Sequence, residues 1–336
     1  MRSPRSLILA LALIVAVSAF GTTATASSQS TTVPMPGGAK IKVKLPGKKK
    51  RTNTVQIGIA EEKAPVFTDP LFLELGMKIA RRTVAWDTFQ YEWQIGEVHD
   101  WMMGAKAAGI TPLITFNRSR IGERRHLVPS RAEWLGMFKE FRKRYPWAKY
   151  FVATNESNHT PPGAHNPKRA AQYYKDMKKA CRTCRIAAAT INEQPKKKFM
   201  ETWIKKFIKA AGHRPKYWAL HNYYGANTFN LKYTKRFLKA TKSGQVWITE
   251  VGGLVKRRSA NFAGKLRMRE GLAHSTRVWK FILNRMIKIS PRIKRVYLFH
   301  WNSATATDSW DSALVSHDRK PRGGLAVLRA KLKKGR

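Results

Sequence analysis

Acidic residues are the scarce class in this chain. Of 336 residues, 20 are Asp or Glu and 65 are Lys or Arg, giving a formal net charge of +45. Cysteine is scarcer still, with only Cys181 and Cys184. Two thiols supply half of a four-ligand zinc site, and no His-x-x-x-His partner accompanies them. No cluster of His, Cys and carboxylates has metal spacing, so neither a metal nor a cofactor is expected. After the first segment no apolar run is long enough to cross a bilayer, which excludes a multi-span membrane protein. There is no G-x-x-x-x-G-K-S/T motif. The first candidate strand, Ile57-Gly58-Ile59-Ala60-Glu61-Glu62, is not followed by the glycine-rich turn that a dinucleotide fold requires. What remains is ordinary for a folded protein: 43% hydrophobic and 11% aromatic residues, too apolar for a disordered basic tail.

Residues 1–26 read as a secretory signal. Arg2 and Arg5 precede an apolar core from Leu7 to Phe20, and Ala24-Thr25-Ala26 gives a small-x-small cleavage pattern. The expectation is an exported, extracellular or cell-wall-associated protein with no membrane span in the mature chain. Residues 27–53, rich in Ser, Thr, Gly, Pro and Lys, read as a flexible basic linker. It is suited to tethering the protein to anionic cell-wall polymer. In an oxidising compartment Cys181-Arg182-Thr183-Cys184 is expected to close a local disulfide.

From 54 to 332 short apolar runs alternate with amphipathic stretches. The runs are Val55–Ala60, Ile79–Trp86, Thr111–Phe116, Tyr150–Thr154, Arg185–Ile191, Tyr217–His221, Val246–Thr249 and Val296–Trp301. Helical patterns lie near 69–77, 96–108, 131–144, 167–180, 198–211, 229–241, 268–289 and 319–332. Ser130 and Asn166-Pro167 supply start signals. Eight strand–helix units in this length predict a single-domain α/β fold, the (β/α)8 barrel. The basic runs Arg142-Lys143-Arg144, Lys205-Lys206 and Lys235-Arg236 fall on outer helices, where charge is ordinarily solvated. No nucleic-acid module is present, so nucleic acid is not expected as a partner.

A barrel does its chemistry at the C-terminal ends of its strands. There the chain places Arg81 and Trp86 (second strand), Asn155-Glu156 (fourth), His221 and Tyr223 (sixth), Glu250 (seventh) and Trp301 (eighth). In an acid-poor chain, two carboxylates directly after the fourth and seventh strands can converge across the mouth. Retaining glycoside hydrolysis uses such a pair. Asn155 can donate to a sugar hydroxyl, Arg81 and Tyr223 could hold Glu250 ionised, and Trp301 offers a flat apolar face.

This pattern resembles clan A of the glycoside hydrolases, the barrel clan with Asn-Glu after strand 4 and a second Glu after strand 7. Arg81 and Trp86, His221 and Tyr223, and Trp301 are similar to that clan's strands 2, 6 and 8. The resemblance covers roughly 55–330. It implies a glycosidase with Glu156 as general acid/base, Glu250 as nucleophile, and Arg81, Trp86, Asn155, His221, Tyr223 and Trp301 around a carbohydrate substrate. The strand-4 motif here is Asn-Glu-Ser-Asn, where many relatives have Asn-Glu-Pro. The competing expectation is a non-catalytic barrel that binds anionic glycan through its basic surface.

Overall fold

The computed structural model describes residues 30–34, 40–44, 55–159, 166–193, 198–257 and 268–334. The signal-like segment 1–26 and most of the 27–53 linker lie outside them. Within the linker, Ser30–Pro34 and Lys40–Lys44 pair as a two-stranded antiparallel ribbon.

The described residues of Asn53–Arg336 include a sheet of nine parallel strands. These are β1 (Gln56–Ala60), β2 (Ile79–Ala85), β3 (Thr111–Asn117), β4 (Tyr150–Val152), β5 (Arg185–Ala187), β6 (Thr190–Asn192), β7 (Tyr217–His221), β8 (Gln245–Val251) and β9 (Ile293–Phe299). The sheet order is β5-β4-β3-β2-β1-β9-β8-β7-β6. β5 and β6 are the two halves of the fifth apolar run, separated by Ala188 and Ala189. Backbone bonds from Ala153 to Ala187 (3.1 Å), from Thr190 to Thr154 (2.8 Å) and from Ala188 to Tyr217 (3.0 Å) stitch this run to both neighbours. The ring therefore closes as the expected (β/α)8 barrel.

Helices α1 (Pro70–Leu73), α2 (Glu92–Ala107), α3 (Arg131–Arg144), α4 (Pro167–Ala180), α5 (Phe199–Ala211), α6 (Tyr223–Asn227), α7 (Lys232–Thr241), α8 (Leu272–Asn284) and α9 (Gly323–Lys333) follow the strands. Ser130 and Glu133 form a reciprocal capping box at the start of α3. The Asn166 side chain caps α4, with Pro167 at its first position. The predicted 69–77 helix is shorter in the structure. A 3-10 turn at Ala64–Thr68 and the single turn of α1 take its place, and Gly76 then turns the chain at a φ of 61°. Cys181 and Cys184 are disulfide-bonded at the end of α4.

Two apolar layers hold the fold. Large side chains fill the space between barrel and helices, among them Trp101, Trp134, Phe141, Phe207 and Trp279. Ala60, Ile79, Leu113, Val152, Ala187, Ala219, Trp247 and Tyr297 pack together as a separate cluster drawn one from each staved position. Close strand approach requires Gly58, where a Cβ would lie 2.2 Å from the Ile79 carbonyl oxygen. The predicted surface runs are where expected: Lys205, Lys206 and Lys235 are exposed on α5 and α7.

Candidate active site

β-strand alternation separates the two consecutive arginines of β2. Arg81 is fully buried and turns to the mouth, while Arg82 turns to Glu62 and Glu97. Arg81 makes three bonds: Nη1 to Glu250 Oε1 (2.6 Å), Nη2 to Asn155 Oδ1 (2.9 Å) and Nε to Thr115 Oγ1 (2.9 Å). One planar cation thus fixes side chains from β3, β8 and the exit of β4.

Glu250 reaches the mouth through a local irregularity. β8 pairs Ile248 with Leu220 and then Glu250 with His221, so Thr249 is extra in the register. Such a bulge re-aims the next side chain. Besides Arg81, Glu250 accepts from the Tyr223 hydroxyl at 3.0 Å. Burial, then the charge of Glu250, pushes the Tyr223 phenol well above its ordinary value, so it stays a donor.

Glu156 leaves β4 with φ of 40°, a left-handed conformation uncommon for a residue with a side chain. Its Oε1 accepts from Asn192 Nδ2 (3.0 Å) and meets His221 Nδ1 (3.0 Å); His159 Nδ1 lies 3.8 Å from Oε2. The other nitrogen of His221 lies 3.5 Å from Glu250 Oε1. The buried imidazole therefore stands between the two carboxylates. Burial acts to raise the Glu156 carboxyl, but the His221 bond and the charges of His221, His159 and Arg81 outweigh it. The group is held below the usual carboxylate range.

The structure gathers Arg81, Asn155, Glu156, His221, Tyr223 and Glu250 in one network. It does not bring Trp86 and Trp301 to the mouth. Trp301 is fully buried; its Nε1 donates to Asp69 Oδ2 at 2.6 Å and its ring packs edge-on against Phe72. The expectation of a sugar platform there is corrected: β9 ends at Phe299, and beyond that point alternation no longer sets direction. Trp86 is buried too, with the Arg124 guanidinium over its ring at 4.8 Å.

Aromatic surface comes instead from Phe299 and Trp93. They line, with Asn155 and Glu250, a cavity of about 890 Å³ that runs across the exits of β1, β2 and β3. Both lie outside the sequence expectation. Asn192 was also missed as a partner of Glu156, although its place directly after the fifth apolar run was a signal. Glu193, next to it, accepts from the backbone of Gly225 inside the protein. Burial pushes its carboxyl up to about 8.

Comparison with known proteins identifies the family and the fold. Residues 121–322 match the profile of the glycosyl hydrolase catalytic core, and the chain belongs to that family. It is a glycosidase by that membership. The matched span contains Glu156, His221 and Glu250. Solved structures with a similar fold include a family 39 glycoside hydrolase from Bacteroides cellulosilyticus WH2, at 14% identity and a TM-score of 0.58. That alignment covers 88% of this chain and 66% of the other, just under two thirds. Xylanase 10B from Thermotoga maritima aligns at 14% identity and a TM-score of 0.58, over 84% and 96% of the two chains. A family 5 enzyme from Bifidobacterium longum subsp. longum, solved with Manβ1-4GlcNAc, aligns at 12% and 0.58, over 84% and 78%. No curated protein sequence matches the chain.

Proposed function

We propose that the protein is a retaining glycosidase that cleaves O-glycosidic bonds of a poly- or oligosaccharide by double displacement. Glu250 is the nucleophile and Glu156 the general acid/base. The observation that carries this reading is the asymmetry of the two carboxylates. Glu250 is bound by a buried guanidinium and a phenol, as an ionised nucleophile should be. Glu156 instead meets the imidazole of His221 and the amide of Asn192, with no guanidinium bound to it among the described residues, as suits a group that gives and takes a proton.

In the first step a Glu250 oxygen attacks the anomeric carbon. The bond to the leaving oxygen breaks and Glu156 supplies that oxygen with a proton. Esterification removes the negative charge of Glu250. Arg81 and His221 then act on Glu156 alone, favouring its ionised form. In the second step Glu156 takes a proton from water, which displaces the sugar from Glu250 with retained configuration. Asn155 has its carbonyl oxygen committed to Arg81, so its amide NH2 is the part offered to a sugar hydroxyl. The export signal at 1–26 and the basic linker at 27–53 fit a secreted protein held near anionic cell-wall polymer, and that placement is part of the same proposal.

A panel of plant and microbial polysaccharides with product analysis tests the activity. Glu250→Ala should abolish turnover, with azide restoring it as an inverted glycosyl azide. Glu156→Ala should lower turnover by about 10²–10⁴, with azide giving the retained product. Unchanged turnover in Glu250→Ala would remove the nucleophile assignment.

A further inference from the structure

The cavity beside Glu250 is large for a small-ligand site. It joins the catalytic network through the carboxylate that would carry the glycosyl group. The part of the substrate that fills it is therefore the glycone side, the chain left attached to the enzyme.

The cations on its wall divide into two groups. Arg82 and Arg120 both pair with Glu97, and Lys63 donates to the Asn302 carbonyl (3.3 Å). Arg118 and Arg125 lie on the loop that leaves β3, line the same cavity, and have no side-chain hydrogen bond or ion pair among the described residues. Arg118 is half-buried. Arg125 is exposed, so neither guanidinium is committed to another group of the fold and both can meet a ligand that enters the cavity. The wall's acids do not answer them. Glu97 is already shared by two arginines, Glu62 accepts from Thr83 (3.0 Å to Oγ1), and Asp100, exposed on α2, pairs with neither free arginine. Nearby, Trp93 is 47% exposed, with the Arg120 guanidinium 4.5 Å from its ring centre. It offers a stacking face for a sugar.

We infer that the cavity selects an acidic glycan, in which Arg118 and Arg125 hold the carboxylate of a uronic acid residue on the glycone side of the cleaved bond. A guanidinium's forked donors match a planar carboxylate two bonds at a time, whereas a neutral hydroxyl engages them singly. The inference rests on the glycosidase reading and adds the substrate class to it.

The test compares oligosaccharides that differ only in carboxylate against primary alcohol: those of glucuronoxylan and hyaluronan, each native and carboxyl-reduced, at 150 mM NaCl. The readout is the ratio of kcat/KM for native over reduced substrate. In the wild type it should exceed about tenfold, and Arg118→Gln with Arg125→Gln should reduce it by about ten- to a hundredfold. Lys235→Gln with Lys239→Gln makes the same change of charge on α7, far from the cavity lining, and should leave the ratio alone. A wild-type ratio near one, an equal fall in both double variants, or a preference for sulfated galactan oligosaccharides over carboxylated ones would overturn the inference while leaving the glycosidase intact. If neither these oligosaccharides nor any member of the polysaccharide panel is turned over, the proposed double-displacement activity fails. The subsite is then judged by calorimetry on the same pairs, with the same ratio taken between affinities. Absence of binding to both members overturns it as well.

Discussion

Arg81 on β2 and Glu250 on β8 meet across the barrel mouth at 2.6 Å, with the arginine wholly buried. Removing one partner strands the other. Arg81→Ala should therefore destabilise the protein by on the order of 3 kcal/mol, read from denaturant unfolding. Arg81→Lys keeps the charge but cannot reach Glu250, Asn155 and Thr115 together. Its kcat/KM should fall by about 10²-fold. Wild-type kinetics in the lysine variant would show that the fork geometry is irrelevant.

The His221 contact predicts a pH profile. Glu156 must be protonated to act as an acid, and it is held below the usual carboxylate range. kcat/KM should consequently fall along a basic limb that begins below the ordinary carboxylate value, already in clearly acidic solution. In His221→Gln the imidazole charge is lost and burial dominates. The limb should move to higher pH, alongside a lower maximum. A limb that stays in place would mean that Glu156 is not the titrating acid.

Glu193 predicts a second, purely thermodynamic pH effect. Its ordinary value is 4.5 and its folded value about 8. Between those limits the unfolded chain has released a proton that the native state keeps, so stability falls as pH rises. The slope has an upper bound of about 1.4 kcal/mol per pH unit and ends above pH 8. Calorimetric Tm at pH 5, 6, 7 and 8 should show this slope in the wild type and not in Glu193→Gln. Parallel slopes in the two proteins would refute it.

Trp301 and Trp93 predict opposite phenotypes. Trp301→Phe loses the bond to the buried Asp69 carboxylate and should lower stability by about 1.5–3 kcal/mol with KM unchanged. Trp93→Ala removes exposed aromatic surface at the cavity wall. It should raise KM for long oligosaccharides by about tenfold, with Tm within a degree or two of wild type. Interchanged phenotypes would restore the sequence expectation for Trp301.

The barrel was legible because each strand is an apolar run bounded by polar residues, and because Ser130, Asn166 and Pro167 mark helix starts. Arg81 was legible through its spacing to Trp86, which resembles the clan's second strand; that Arg82 turns the other way came from the structure. The fifth run was not: Ala187-Ala188-Ala189-Thr190 is uniformly small, and nothing in it says where the strand breaks. The sugar-facing aromatics were misplaced for a related reason. Spacing identifies which residues share a strand face, but Trp301 lies two residues past the end of β9, where the chain has left strand geometry. Trp93 sits at the second position of α2, outside any strand, and only the shape of the mouth shows that it borders the cavity.

The bond from Arg81 to Asn155 gives the mouth a hydrogen-bonding polarity. An asparagine amide is ordinarily ambidextrous, able to turn either end toward a visitor. Here its oxygen accepts from Arg81, and rotation would set two donors face to face, so the amide keeps its NH2 end for other partners. A sugar hydroxyl can satisfy such a one-way reader by accepting. A protonated amine at the same carbon has only hydrogens to offer and would be turned away. Under the proposed function, which end of Asn155 meets a sugar is thus set on β2, one side chain removed from the ligand.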